Sequence, residues 1–307
     1  MSEPEKKIAL IVNPISGTRD KEPILTHVFE ELDKRGVVAE VEYTRYGGHA
    51  SLLTGMFLEK GYTAIIAMGG DGTMNEVASA LTGTDAALGI IPFGSGNGLA
   101  RHLKIPMQPL KAFDVILENN VVDIDYCTVN GRKYFCTFGL GYDAEVAETF
   151  AREGKRGLAT YVLSAIKEYG RFQPDDYKVY IDGEELTDKF YIISASNGSQ
   201  YGNNAFIAPQ ALVNDGLLDL VMIRPGTHLT RAVLGIKLFT DSISHGGTVT
   251  YLQVPQVEIR NLTSETFHAH IDGEPVEMSG PIHIKCHKRD LKVFVPKSIK
   301  EGIKNIQ

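Results

Sequence analysis

The apolar run Ala64-Ile65-Ile66-Ala67-Met68 ends directly in Gly69-Gly70-Asp71-Gly72-Thr73-Met74-Asn75-Glu76, and a helical pattern follows from Asn75 to Leu81. An unbroken apolar run of this length suits a strand buried on both faces. A buried strand that enters a glycine-rich turn and then a helix builds a phosphate site. Glycines let backbone N–H groups converge on an anion with no Cβ in the way. The helix start adds unpaired donors and a favourable dipole. An aspartate in such a turn would repel a bare phosphate, so Asp71 implies a magnesium ion between them. The pattern points to a nucleotide-using kinase.

The same rhythm fills the first part of the chain. Strands are expected at Ile8–Asn13, Val38–Thr44, Thr63–Met68, Ala87–Pro92 and Val121–Tyr126, with helical patterns between them. Pro23 sits in the first turn of one helix and Gly36 closes it; others run from His49 to Lys60 and from Pro109 to Glu118. This is a parallel α/β layout. After Asp125 the period changes. Asn130-Gly131 and Asp182-Gly183 lie between apolar alternations and read as hairpin turns. Strand patterns follow at Tyr134–Phe138, Tyr177–Ile181, Phe190–Ala195, Leu217–Ile223, Val254–Arg260, Phe267–Ile271, Ile282–Cys286 and Leu291–Val295, with helices at Leu158–Tyr169 and Leu229–Ser242. The expectation is an α/β domain over residues 1–125, with a parallel sheet and flanking helices. A mostly antiparallel β-sandwich follows over residues 126–307, its extreme C-terminus able to pack back on the first domain. A cleft between two such domains is a common ligand site.

Composition bounds the partners. A net charge of −7 and a pI of about 5.7 argue against nucleic acid as a partner. Cys127, Cys136 and Cys286 are an odd set with no secretory leader before them, which fits free thiols in the cytoplasm. No apolar run approaches the ~20 residues that span a bilayer.

Three small-residue turns follow three strands of the first half: Asn13-Pro14-Ile15-Ser16-Gly17, the Gly69 turn, and Pro92-Phe93-Gly94-Ser95-Gly96-Asn97. In a parallel sheet these turns share the carboxyl edge, where α/β proteins bind ligands, so they make one composite pocket. The chain has no Gly-x-x-x-x-Gly-Lys-Ser/Thr motif, no protein-kinase set and no Gly-x-Gly-x-x-Gly after the first strand.

Taken in order, these blocks resemble the diacylglycerol kinase catalytic-domain superfamily, which includes bacterial lipid kinases, sphingosine kinases and ceramide kinases. The resemblance extends through Phe138-Gly139-Leu140-Gly141-Tyr142-Asp143, through Pro209 to Asp215-Gly216-Leu217-Leu218-Asp219, and to Asp272-Gly273-Glu274, covering about Ile8 to Val295. The Gly69–Glu76 block is shared with NAD kinases and is distantly similar to phosphofructokinases. The resemblance implies a cytoplasmic lipid kinase of phospholipid metabolism that uses ATP and Mg²⁺ and meets its substrate at a membrane surface; a homodimer is compatible with it.

Residue by residue, the resemblance implies that Gly69, Gly70, Asp71, Gly72, Thr73, Asn75 and Glu76 hold ATP phosphates, with Asp71 organising Mg²⁺. Asn13 and Thr44 would line the nucleotide site, with Ser95 and Asn97 contributing from the neighbouring turn. Glu274 matches the family's general base. Asp215 with the carbonyls of Leu212 and Leu217 matches a second, structural Mg²⁺ site, a hard-oxygen ligand set. By its residues alone, Asp272-Gly273-Glu274 is a hairpin turn, as is the identical Asp182-Gly183-Glu184.

Other residues fit weaker patterns. His268 and His270 share one strand face, and His283 and His287 flank Cys286; a zinc site would need four such ligands in tetrahedral reach. Arg101, His102 and Lys104, and likewise Arg152, Lys155 and Arg156, could meet phosphate or an anionic lipid surface or simply form solvated faces. The Leu158–Tyr169 helix could supply an acyl slot or simply pack into the core. No segment has the basic, bulky-apolar character of a dedicated membrane helix. The acceptor stays open. Gly94-Ser95-Gly96-Asn97-Gly98 is closer to the sphingosine-kinase form, and Gly69-Gly70-Asp71-Gly72-Thr73 to the diacylglycerol-kinase form. A kinase acting on a soluble nucleotide such as NAD, and a non-catalytic lipid- or nucleotide-binding regulator, are the alternatives.

Overall fold

The computed structural model describes residues 7–153 and 172–304. The chain forms two compact units, Met1–Ile124 with Arg289–Gln307, and Asp125–Lys288.

The first unit alternates β1 (Lys7–Val12), α1 (Glu22–Asp33), β2 (Val38–Tyr43), α2 (His49–Glu59), β3 (Ala64–Gly69), α3 (Asp71–Leu81), β4 (Ala87–Pro92), α4 (Gly98–His102) and α5 (Pro109–Leu117). The strands lie in the order β2-β1-β3-β4, all parallel. β3 and β4 are buried along their whole length, as their unbroken apolar sequences require, while β2 is an edge strand with alternating exposure. Leu25, Val28 and Leu32 of α1 and Phe113 and Ile116 of α5 pack with Leu10, Ile66 and Ile91 of the sheet. The chain moves outward from β1 to β2 and then crosses to β3 on the other side. That reversal opens a crevice at the carboxyl ends of β1 and β3, the place where such sheets take ligands.

The helix after β3 starts at Asp71, earlier than the expected Asn75. Gly70 is fully extended (φ −95, ψ −172) and acts as the N-cap residue, and Asp71 lies in the first turn, where a carboxylate complements the helix dipole. Asp71 therefore belongs to a helix N-terminus rather than to a loop.

The second unit holds the end of β5 (Val121–Val129), β6 (Arg132–Tyr134), β7 (Thr137–Gly141), α6 (Tyr142–Glu153), β8 (Asp175–Ile181), β9 (Glu184–Phe190), β10 (Ile192–Ser196), β11 (Leu218–Ile223), α7 (His228–Phe239), β12 (Val249–Val254), β13 (Gln256–Asn261), β14 (Thr266–Ile271), β15 (Glu274–Ser279) and the start of β16 (Ile282–Phe294). One sheet runs β12-β11-β10-β7-β14-β15, antiparallel throughout. Facing it are β16, β13, β8 and β9, also antiparallel, with the β5–β6 hairpin. Phe138, Leu140, Ile193 and Leu220 from the first sheet meet Tyr177, Val179, Ile259 and Ile284 from the second in one buried core, which makes this unit an antiparallel β-sandwich.

The expected strands shift where the backbone is needed elsewhere. Tyr134–Phe138 is interrupted at Phe135 and Cys136, whose amides turn to the Asp272 carboxylate. Val254–Arg260 breaks at Pro255, which cannot donate to a ladder. Ile282–Cys286 and Leu291–Val295 join into the single strand β16: Ile282 to Lys285 pair with β13, and Lys292 and Val293 pair parallel with Ala87 and Leu88 of β4. α6 was not expected. The Leu158–Tyr169 helix and the basic residues Lys155 and Arg156 lie outside the described residues. α8 (Lys297–Lys304) follows β16. Among the described residues, no helix is long and apolar enough to cross a membrane.

Candidate active site

The three turns of the first unit are bound to one another by side chains. Asn13 Nδ2 donates to Thr73 Oγ1 at 3.1 Å, tying the first turn to the start of α3. The Asp71 carboxylate accepts the backbone amides of Asn97 (2.7 Å, Oδ2) and Gly98 (2.8 Å, Oδ1), tying α3 to the third turn. Gly94 packs so closely on Gly70 that a Cβ on Gly94 would lie 2.8 Å from the Gly70 Cα. Only glycine fits there. Lys21 joins the first and third turns. Its ammonium donates to the carbonyls of Ser16 (2.6 Å) and Pro14 (3.3 Å) and lies over the Phe93 ring at 4.7 Å. Burial lowers the Lys21 pKa from its usual value. Nothing in the sequence around Lys21 marks this role, because its partners are two carbonyls and a ring.

Inside this brace the start of α3 is bare. No side chain caps it, and among the described residues the amides of Gly72 and Thr73 have no partner. Glycines at positions 69, 70 and 72 keep the approach open, so these donors suit an anionic phosphate. Ser95 of the third turn and the Thr44 hydroxyl after β2 are likewise unpartnered among the described residues, and both belong to the carboxyl edge of the sheet.

The other nucleotide-site candidates are engaged in structure. Asn97 has a left-handed backbone (φ 52), and its amide closes its own turn through Gly94 N (3.0 Å) and Gly94 O (2.7 Å). Asn75 Oδ1 accepts from Ser79 Oγ at 3.3 Å. Glu76 faces α2, where its two oxygens accept the amides of Gly48 (2.8 Å) and Ala50 (2.9 Å). It caps a helix whose own N-cap residue, Gly48, has no side chain to do so. Arg101 donates to the Gly96 carbonyl at 2.8 Å, beneath the third turn. Desolvation, aided by the charge of Lys104, holds His102 down to about 4, so it carries no charge for an anion at neutral pH.

In the second unit Glu274 begins β15 at the tip of the β14–β15 hairpin and is exposed. The turn has the same backbone as its twin: φ is 49 and 81 at Asp272 and Gly273, against 50 and 86 at Asp182 and Gly183. The anchoring differs. The Asp272 carboxylate accepts the amides of Phe135 (3.0 Å), Cys136 (2.8 Å) and Thr137 (3.0 Å). Among the described residues no hydrogen bond engages the Asp182 carboxylate.

The loop from Leu212 to Leu217 wraps a buried carboxylate, with Asp125 N donating to Val213 O and Gly216 N to Asp125 Oδ2, both at 2.6 Å. Asp215 Oδ1 accepts from Leu217 N at 2.9 Å. Neither the Leu212 nor the Leu217 carbonyl has a hydrogen-bond partner among the described residues. Burial raises the Asp215 pKa and pushes Asp219, fully buried nearby, up to about 6. Asp219 Oδ1 is bonded to Tyr251 and Gln253, but Oδ2 has no partner. Free carbonyls beside under-compensated carboxylates form a donor set that suits a hard divalent cation.

The histidines do not converge. His270 pairs with Asp143 at 3.2 Å, His268 with Glu148 at 2.9 Å and His283 with Glu258 at 3.5 Å, while His287 stacks on Tyr126 and bonds Thr128. A four-ligand zinc site from these residues is not present among the described residues.

Comparison with known proteins returns two family models that together cover most of the chain. A "Diacylglycerol kinase catalytic domain" matches residues 7–129, and a "YegS C-terminal NAD kinase beta sandwich-like domain" matches residues 137–295. Proteins named "Probable lipid kinase YegS-like" are similar in sequence. The one from Chromohalobacter salexigens is 33% identical over 245 residues, covering 76% of this chain and 77% of its own. The one from Pectobacterium atrosepticum is 31% identical over 274 residues, covering 87% and 89%. A solved structure of a protein described as a diacylglycerol kinase from Bacillus anthracis shares the fold at a TM-score of 0.77 and 22% identity, covering 97% of this chain and 100% of that one.

Proposed function

The chain belongs to the family defined by a diacylglycerol kinase catalytic domain followed by a YegS C-terminal domain, and from that premise we propose that it is an ATP-dependent lipid kinase. It transfers the γ-phosphoryl group to the hydroxyl of a lipid, either a diacylglycerol or a sphingoid base. The observation that carries this reading is the uncapped start of α3 inside three mutually braced turns.

The residues divide the work. Gly72 and Thr73 N–H groups receive phosphate oxygens, with Ser95 and Thr44 supplying free hydroxyls alongside. Asp71 holds the third turn in place through Asn97 and Gly98. Mg²⁺ bound near Asp71 would neutralise charge on the transferring group. Glu274, on its anchored turn, accepts the proton of the acceptor hydroxyl. Asp215 with the Leu212 and Leu217 carbonyls would hold a second Mg²⁺ whose role is to fix the loop.

A lipid acceptor lies in a bilayer, and α7 offers a surface for transient contact with one. Leu229, Val233, Ile236 and Phe239 are 75%, 43%, 64% and 45% exposed, and their spacing puts them on one side of the helix. The opposite side packs Leu234 and Leu238 into the unit. No acidic residue occurs between His228 and Phe239. A second apolar face on a packed helix, free of negative charge, fits an anionic membrane surface.

The test is direct. Purified protein with Mg-ATP is offered diacylglycerol or a long-chain amino alcohol in mixed micelles, and products are read by mass. Phosphorylated lipid, lost in Asp71→Asn and Glu274→Gln, is the expected outcome. ATP consumption with NAD and no lipid, or tight ATP binding with no product from any lipid, overturns the proposal.

A further inference from the structure

The Glu274 turn is held from a second direction. His270 is 2% exposed and Asp143 4% exposed, and they meet beneath it. The Gly273 amide donates to His270 Nδ1 at 3.4 Å. That nitrogen therefore carries no proton, and the ring proton sits on Nε2. Nε2 lies 3.2 Å from Asp143 Oδ2 and donates to it. The same Oδ2 accepts the Tyr201 hydroxyl at 2.9 Å, and Oδ1 accepts the Ala144 amide at 3.0 Å, at the start of α6. Every donor in this chain has one acceptor, and the direction of each bond follows from the one before it.

The sequence makes room for the pair. His270 lies opposite Gly139 in the β14–β7 ladder. A Cβ on Gly139 would overlap both Asp143 Oδ2 and His270 Nε2. Gly139 is thus required by the contact itself, and any larger residue would drive the two side chains apart.

We infer that Asp143 and His270 form a buried relay that positions the Glu274 turn: Asp143 fixes the tautomer and tilt of His270, and His270 holds the Gly273 amide next to Glu274. The inference rests on the reading of Glu274 as the acceptor-side base. His270 is a positioning residue in it, since it reaches the reaction only through the turn. Asp272 secures the near end of the turn through three backbone amides, and His270 secures the far end. Two anchors fix a turn where one leaves a pivot.

Two isosteres of histidine separate the arms of the relay in the full-length protein. His270→Asn keeps an acceptor where Nδ1 sits and loses the donor; His270→Gln keeps the donor and loses the acceptor. Amide exchange at Gly273 and lipid-kinase turnover are both measured. The relay predicts that Gly273 exchanges about ten-fold faster or more in His270→Gln and only about three-fold faster in His270→Asn, which keeps the acceptor but loses the Asp143 bond that orients it. Turnover follows the same order, with kcat about ten-fold lower or more in His270→Gln at unchanged KM for ATP. Tyr201→Phe, which removes one hydroxyl bond to Asp143, gives a milder step in the same direction if His270→Gln folds poorly. Equal Gly273 exchange in the Asn and Gln variants overturns the relay. If Glu274→Gln turns over like wild type, the reading of Glu274 falls, and the exchange result alone decides the relay.

Discussion

The Asp71 carboxylate caps the backbone at Gly98, accepting its amide at 2.8 Å while the other oxygen takes the amide of Asn97 at 2.7 Å. The acidic residue of the Gly69 turn is thus a tie between two turns. Asp71→Asn leaves one oxygen for two amides and points an N–H₂ group at a donor. Loss of stability of about 1–3 kcal/mol is expected, as for an unsatisfied buried donor. Mg-ATP affinity falls with it, because the third turn loosens. Urea denaturation and calorimetric titration of nucleotide measure the two effects.

Glu274 and Glu184 offer an internal control. Both follow Asp-Gly at a hairpin tip, and among the described residues only the Asp272 carboxylate, not that of Asp182, is hydrogen-bonded to another strand of the unit. Glu274→Gln should lower kcat about 100-fold or more with nucleotide binding unchanged, within the range for loss of a general base. Glu184→Gln should leave kcat as it is.

His102 gives a pH signature. Its folded-state pKa is about 4, below the ordinary value of 6.5. The unfolded chain therefore binds a proton at higher pH than the folded one. The stabilising difference is complete above pH 6.5 and is lost as pH falls toward 4. Between pH 7 and pH 5 the loss is about 1–2 kcal/mol. His102→Gln cannot titrate, so its denaturation midpoint should vary less over the same interval.

Asp215 is expected to couple stability to divalent cations. Mg²⁺ at 100 times its dissociation constant should stabilise the wild type by about 2.7 kcal/mol. Asp215→Ala should lose that increment while keeping nucleotide binding in the first unit. Thermal melts with and without Mg²⁺, and without ATP, measure it.

The exposed face of α7 can be probed with one fluorophore, since the chain has no tryptophan. Leu229→Trp should show blue-shifted emission on addition of anionic vesicles. Leu262→Trp, at another exposed apolar site (51% exposed), should not. Equal shifts at both positions would remove α7 from the membrane contact.

What the sequence made legible was local. The α/β rhythm of the first unit follows from unbroken apolar runs ended by glycine-rich turns, and the turns share an edge because parallel strands require it. The hairpins at Asn130 and Asp182 announced themselves by residue type. The links between turns were hidden, because their partners are far apart in the chain. Glu76 belongs in sequence to the Gly69 turn and in space to the start of α2. Asp143 and His270 read as the end of a glycine-rich block and a strand residue, and only the register of β7 with β14 brings them together. Asp71 and Gly98 show the same limit: the carboxylate was evident, and what it holds was not. α6 carries no start signal in the sequence, because Tyr142 follows β7 directly with no turn between.

The strand that completes the first unit follows the whole of the second unit in the chain. Lys292 and Val293 pair with β4, Asp290 O accepts the Gly83 amide, and Val295 N donates to Asn120 O. A ribosome that has released Met1–Ile124 has therefore released a sheet with an open border at β4, which must wait for the whole sandwich to be translated before it is sealed. Truncation anywhere before Arg289 would leave that border permanently unpaired, a template for aggregation. The first unit cannot be expressed as a clean fragment by cutting at residue 124; it needs the tail supplied in trans or spliced back on.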